Sequence, residues 1–180
     1  MRFVFPGAAY EQRAKAFVQE FLDHGSQLNG QGELDRYLRE STYADWLAKL
    51  VSDADLANVP EGRVPGYTYF YVDDQDRIVG VINIRLYLNG FLREQGGHIG
   101  YSIRPTRRGK GYATSMLRGA LDFLAPLGLR DVLVTCHKDN AASAKVIQNC
   151  GGVLEDETFS EHYGRMVQRY WIHRENAQQM

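Results

Sequence analysis

The sequence has no cysteine pair, no excess of charge of either sign and no long apolar run, and each absence closes a class of function. Its two cysteines, Cys136 and Cys150, stand apart rather than in a Cys-x-x-Cys motif, and one disulfide would be a poor framework for a chain of 180 residues. Both are read as buried thiols. The histidines His24, His98, His137, His162 and His173 show no His-x-x-x-His or mixed Cys/His spacing, so no metal is expected. Lys plus Arg number 21 against 22 Asp plus Glu, a formal net charge of −1, so composition gives no global case for a nucleic acid or a membrane surface as partner. No stretch approaches the roughly 18 apolar residues of a membrane-spanning helix, and the run from Met1 to Pro6 is too short for a signal peptide. The default expectation is a cytoplasmic protein.

What is present is ordinary globular material: 44% hydrophobic, 12% aromatic and 24% charged residues. One domain over residues 1–180 is expected, with a helical part over 1–66 and a strand-rich core over 67–173. Residues 2–5 read as a short edge strand before the Pro6-Gly7 turn. Ala14, Phe17, Phe21 and Leu22 then recur at helical spacing up to Gly25, and two further helical stretches carry Leu34, Tyr37 and Leu38, then Trp46, Leu47 and Leu50. The Pro- and Gly-rich segment from Val59 to Gly66 reads as an ordered loop. Beyond it, Tyr67 to Val72 and Ile78 to Leu88 flank an Asp-rich turn and read as a β-hairpin.

His98 to Arg104 reads as a strand stopped by Pro105. A helix follows from Gly111 to about Leu127, on the period of Ala113, Met116, Leu117, Ala120, Leu121 and Leu124. Val132 to Cys136 reads as a buried strand, and Asp139-Asn140 starts a helix with Ala144, Val146 and Ile147 on its apolar side. Two last strands are expected near Val153 to Glu155 and Arg165 to His173, with a frayed tail from Asn176 to Met180.

The segment Ile99-Gly100-Tyr101-Ser102-Ile103-Arg104-Pro105-Thr106-Arg107-Arg108-Gly109-Lys110-Gly111-Tyr112-Ala113 sets a basic, glycine-rich turn between a strand and an amphipathic helix. A helix N-terminus offers unpaired N–H groups and the positive end of the helix dipole, so this is architecture for an anion. Two familiar phosphate loops fail. A P-loop has Gly where Arg104 stands and Ser or Thr where Gly111 stands. The dinucleotide fingerprint has a third Gly where Thr114 stands.

On these residues the chain resembles the GNAT superfamily of acetyl-CoA-dependent N-acetyltransferases, whose Arg/Gln-x-x-Gly-x-Gly/Ala signature is met by Arg108, Gly111 and Ala113. The preceding strand ending Ile103-Arg104-Pro105 and the later Asp139-Asn140 start with Ser143 match in the same order. The resemblance runs from about Tyr67 to Ile172 and is strongest from His98 to Leu154. It implies an α/β (α+β) fold with a mixed, mainly antiparallel central sheet flanked by helices, splayed between its fourth and fifth strands. It also implies that N–H groups from Gly109 through Lys110, Gly111 and Tyr112 to Ala113 hold a pyrophosphate, with Arg108 and Lys110 near the phosphates. Ile103 would pair its backbone with pantetheine, and Asn140 and Ser143 would contact the cofactor from the second helix. Their alternative reading is a helix cap and a surface hydroxyl.

Acyl transfer from a thioester to an amine requires a neutral nucleophile, a polarised carbonyl and a proton for the departing thiolate. His98, near where the family often places a base, is the candidate base, against a buried structural histidine as the alternative. Glu94 is the second candidate, and His137 could orient an acceptor. Many family members carry an acidic tyrosine seven residues after the Asn; this chain has Ile147 there. Tyr163, Tyr170 or water would have to substitute.

The expected partner is a small-molecule or peptide amine, with no nucleic acid and no membrane; a homodimer is left open. Glu33, Asp35, Glu40 and Asp45 can attract a cationic amine or simply form a solvated helix face. Two other functions compete: a non-catalytic acyl-CoA sensor, which would account for the missing tyrosine, and a nucleic-acid binder using Arg104, Arg107, Arg108 and Lys110. The second has no accompanying aromatic motif.

Overall fold

A computed structural model describes residues 1–174; the tail from Asn176 to Met180 lies outside the described residues. The chain divides into two compact units, one comprising Met1–Tyr87 with Gly100–Ala113, the other Leu88–Ile99 with Thr114–Met180.

In the first unit a sheet is built in the order β1 (Arg2–Val4), β2 (Gly66–Val72), β3 (Ile78–Arg85) and β4 (Ile99–Ile103). β1 pairs antiparallel with β2, and β2 with β3. Three helices precede β2: α1 (Glu11–Asp23), α2 (Leu34–Glu40) and α3 (Tyr43–Asp53). The apolar stripe of α1 buries Ala14, Phe17 and Phe21, as its 3.6-residue period requires, while Leu22 falls on the far side and is 64% exposed. These residues share a core with Trp46 and Leu50 of α3 and with Phe70, Val72 and Val81 of the sheet. Each such large side chain removed from water contributes roughly 1.5–3 kcal/mol. A capping box between Thr42 and Asp45 sets the start of α3.

The connection from α1 to α2 is fixed by close backbone approach. Gly30 has φ +69°, and a Cβ there would stand 2.0 Å from the Gly100 carbonyl oxygen, so only glycine lets this loop lie on β4. The Asn29 N–H adds a 2.7 Å hydrogen bond to Ser102 Oγ, and Trp46 Nε1 donates to the Gly32 carbonyl at 2.9 Å.

In the second unit the sheet order is β5 (Asp131–His137), β7 (Arg165–His173) and β6 (Gly152–Ser160), all antiparallel. Its centre is the run Val132, Leu133 and Val134, each fully buried. Helix α5 (Ala141–Asn149) lies between β5 and β6 in sequence and buries Ile147. Helix α4 (Tyr112–Leu124) buries Met116, Leu117, Ala120, Leu121 and Leu124, the positions its period selects. Gly97 has φ +63°, and a Cβ there would stand 2.6 Å from the Leu133 carbonyl oxygen. The strand ladders thus form a four-stranded and a three-stranded sheet rather than one continuous ladder. Among the described residues no helix is long and apolar enough to cross a membrane.

Candidate active site

The basic turn is built outward from the end of β4. Arg104 hands its N–H to the Val79 carbonyl at 2.8 Å, and Pro105, with no N–H to offer, ends the strand. One tight turn, Pro105–Arg107, follows. Its Thr106 is pinned to α1 twice, N–H and Oγ both donating to Glu20 Oε1, at 3.0 and 2.8 Å. Burial alone would raise the Glu20 carboxyl, but the two Thr106 hydrogen bonds and the nearby Arg104 charge outweigh it and hold it below the ordinary range. Arg104 reaches Glu20 at 3.5 Å and lies over the Phe17 ring.

Arg108 is a brace. Its Nε donates to the Ile103 carbonyl at 3.1 Å, its Nη2 donates to Ser26 Oγ at 2.7 Å, and its guanidinium lies 5.4 Å from the centre of the Phe21 ring. The structure thus joins Arg108 and Ile103 directly, through the carbonyl of the residue expected to pair with pantetheine. Gly109 and Gly111 follow at φ +73° and +78°, both in open space. Their requirement for glycine is conformational, since L-residues rarely adopt this region.

Among the described residues, the N–H groups of Gly109, Lys110 and Gly111 donate to no other group. Tyr112 and Ala113 open α4, and the first N–H groups of a helix have no partner one turn back. Five consecutive residues therefore present main-chain donors at the positive end of a helix. Arg107, Arg108 and Lys110 make no ion pair with any described carboxylate, so their charge is not cancelled locally. A pyrophosphate fits this segment: backbone donors for its oxygens, cations for its charge and no Cβ at the two glycines.

The remaining candidates lie in the second unit. His98 is 4% exposed. Its N–H donates to the Leu133 carbonyl at 2.8 Å, and its Nδ1 accepts the Leu133 N–H at 2.9 Å. A ring nitrogen that accepts carries no proton, so the neutral ring has its proton on Nε2. The lone pair that a base would use is committed to the backbone, which is the behaviour of the buried structural histidine. The His98 ring also meets Trp171 edge-on, with centroids 6.3 Å apart.

Asn140 caps α5, its Oδ1 accepting the Ser143 N–H at 3.1 Å, and the Cys136 thiol donates to Gln168 Oε1 at 3.8 Å. Burial pushes that thiol up to about 11, so Cys136 is inert as a thiolate at neutral pH. Glu94 is exposed on the turn Leu92–Gly96. Burial, then the charge of Arg165, lowers the His137 imidazole below its ordinary range, and its ring packs 5.0 Å from that of Tyr163. Tyr170 is buried, with its hydroxyl given to Gln168 Oε1 at 2.9 Å. Ile147 is fully buried, and a Cβ on Gly152 would stand 2.5 Å from its Cγ2, so that position serves packing. Among the described residues no group of His, Cys, Asp and Glu could hold a metal.

Of the four acidic residues that either attract a cationic amine or form a solvated helix face, two are occupied elsewhere. Asp45 belongs to the α3 capping box, and Glu40 pairs with Arg39 at 3.2 Å. Glu33 and Asp35 line a cavity of about 350 Å³ in the first unit, with Lys49, Asp53, Arg63 and Arg85. The sequence offered no sign of this cavity, because it depends on the backbone contact between Gly30 and Gly100 described above.

The acetyltransferase (GNAT) domain family model matches residues 13–153. The chain belongs to the GNAT acetyltransferase family. Known structures carry the same fold over nearly its whole length. A spermidine N-acetyltransferase chimera from Vibrio cholerae and hSSAT is 16% identical, covers 96% of both chains and has a TM-score of 0.63. The Microcin C7 self immunity acetyltransferase MccE, in complex with acetyl-CoA and AMP, is 17% identical, covers 96% of this GNAT chain and 91% of its own, and has a TM-score of 0.65. A ribosomal-protein-S5-alanine acetyltransferase from Vibrio fischeri is 16% identical over 97% and 93%, with a TM-score of 0.65. No curated protein sequence gives a significant match.

Proposed function

We propose that this GNAT acetyltransferase moves an acetyl group from acetyl-CoA to a primary amine by direct attack in a ternary complex. The observation that carries the reading is the run of five main-chain donors from Gly109 to Ala113, set among cations without carboxylate partners. Acetyl-CoA supplies the thioester: the amine nitrogen forms a C–N bond to the acyl carbon, the C–S bond breaks, and the proton lost by nitrogen is made good at sulfur.

The chain's own residues bind and orient. Gly109 to Ala113 hold the pyrophosphate, Lys110 and Arg107 add charge, and Arg108 fixes the turn against Ile103 and Ser26. Asn140 and Ser143 remain proposed cofactor contacts, Asn140 as the residue that caps α5. His98 enters through its Nδ1, which accepts the Leu133 N–H and so positions β5, and the amine sheds its proton to water. The similar structures named for spermidine and for a protein alanine support an amine as the acceptor class.

Isothermal titration with acetyl-CoA, run beside thiol release against a panel of amines, tests the reading. Binding with release is the expected result, and absence of binding overturns it. A second reading, a non-catalytic acyl-CoA sensor, is favoured by Ile147, which is buried where many relatives carry an acidic tyrosine. Binding with no release across the panel would select that reading.

A further inference from the structure

We propose that the cavity beside β4 recognises an acceptor carrying a cationic amine and an anionic group together, a free amino acid or a short peptide. In this assignment Asp35 takes the ammonium, and Arg63 with Arg85 takes the carboxylate. The assignment rests on the acetyltransferase reading for its consequence, acetylation, but not for the binding itself.

The cavity measures about 350 Å³, at the small end of the roughly 300–1,000 Å³ usual for ligand pockets. That volume suits an amino acid or dipeptide. Its ionisable lining is balanced: Glu33, Asp35 and Asp53 against Lys49, Arg63 and Arg85. A polyamine or a polyanion entering it would meet as many like charges as opposite ones, whereas a zwitterion meets a complement at each end.

The charges are not equivalent. Lys49 and Asp53 form an ion pair with each other, and Glu33 is shared between Arg36 and Arg63. Asp35 is different. Its carboxylate accepts from Gln31 Nε2 and from the Arg36 N–H, while its own N–H donates to Gln31 Oε1 at 2.7 Å. Gln31 is 8% exposed, so the carboxylate is held in one orientation from below. No described cation pairs with it. A half-buried carboxylate, oriented and without a cation, is stabilised by a ligand that brings one.

Arg63 is the cation most able to turn to a ligand, because its contact with Glu33 is 3.5 Å and its side chain is 59% exposed. The cavity wall at Asn29 and Gly30 lies on Ser102 and Gly100 of β4, and that strand runs into Ile103 and the phosphate turn. A ligand held there is about 10 Å along the strand from the turn, at the usual rise of about 3.3 Å per residue.

The test is equilibrium titration of the full chain with the twenty free amino acids and with the dipeptides Gly-Gly and Ala-Ala. Each is paired with its C-terminal amide, and spermidine is included. At least one free acid is expected to bind, its amide about tenfold or more weaker, and spermidine weaker still. Asp35→Asn, which keeps the shape, should weaken that ligand about tenfold; Arg63→Gln, on an exposed side chain, should erase the preference for acid over amide. The proposal is overturned if no free acid binds, if the amide or spermidine binds as tightly, or if Asp35→Asn changes nothing. Acetyl-CoA titrated into the same samples separates the two ideas: its failure to bind sinks the acetyltransferase reading and leaves the zwitterion site to its own result.

Discussion

The Arg108 guanidinium donates through Nε to the Ile103 carbonyl at 3.1 Å, and so ties the start of the basic turn to the last residue of β4. The signature arginine acts here on the chain itself, with its second arm on Ser26 Oγ and its face on Phe21. Arg108→Ala removes two hydrogen bonds and the packing of the stem. A loss of about 1–3 kcal/mol of stability is expected, together with weaker acetyl-CoA binding. Arg108→Lys should recover less than half of either, because one ammonium cannot serve both acceptors in the same fork. Thermal unfolding and titration measure the two effects; unchanged values for Arg108→Ala would remove the brace from the argument.

Gly111 and Gly30 both sit at positive φ, but for different reasons, and substitution separates them. At Gly111 the surroundings are open and only φ +78° resists a side chain. The expected cost rises from Asn, which tolerates this region, to about 1–2 kcal/mol for Ala and more for Val. Acetyl-CoA affinity should fall in the same order. Gly30→Ala drives a Cβ to 2.0 Å from a backbone oxygen; it should cost about 3 kcal/mol or more and disturb the cavity. Urea unfolding of the set reads the order directly. A Gly30→Ala protein as stable as wild type would contradict the described contact between the loop and β4.

Much of this was legible before any coordinates. The periods of α1 and α4 chose Phe17, Phe21, Met116, Leu117 and Leu121 because burial of an apolar stripe is local information. The conformation of the turn after β4 was legible for the same reason: Pro105 ends the strand, and Gly109 and Gly111 admit a positive φ that other residues resist. The long β6 was hidden. Only Val153 to Glu155 was expected, whereas the strand runs Gly152–Ser160. As an edge strand with a bulge between Leu154 and Asp156, it carries acidic residues and exposed apolar ones without a clean alternation. Leu22 was counted with Ala14, Phe17 and Phe21 at helical spacing, but its angular position puts it in solvent. The roles of Arg108, His98 and Asp35 depend on partners 5, 35 and 4 residues away in sequence. Of these, only the shorter separations leave any trace in sequence spacing.

Glu20 makes the basic turn after β4 sensitive to acid. Its carboxyl titrates below the ordinary value of 4.5 in the folded chain. A group depressed on folding contributes stability above its unfolded pKa and loses it as pH falls through the folded one. The stability difference between wild type and Glu20→Gln should therefore be about 1–2 kcal/mol at pH 7 and shrink once the pH drops below about 4.5. Urea titrations at pH 7 and pH 3.5 give the comparison. A difference that stays constant between the two would show that the Thr106 hydrogen bonds do not depend on the carboxylate charge.

His98 offers the sharpest separation of a chemical role from a positioning one. Its Nδ1 accepts the Leu133 N–H at 2.9 Å, and an asparagine Oδ1 occupies nearly the same place relative to its own backbone, without any basic lone pair in the neutral range. His98→Ala leaves a buried N–H without its acceptor and should cost roughly 1–3 kcal/mol. His98→Asn should restore most of that stability. If the histidine positions β5, Asn should also restore turnover, and the pH–rate profile of the Asn variant should match that of wild type. If it is a base, Asn and Ala should be equally slow, and the limb of the profile that reports imidazole should vanish in both. The commitment of Nδ1 to the backbone predicts rescue by Asn, and a stable but inactive Asn variant would return His98 to the reaction.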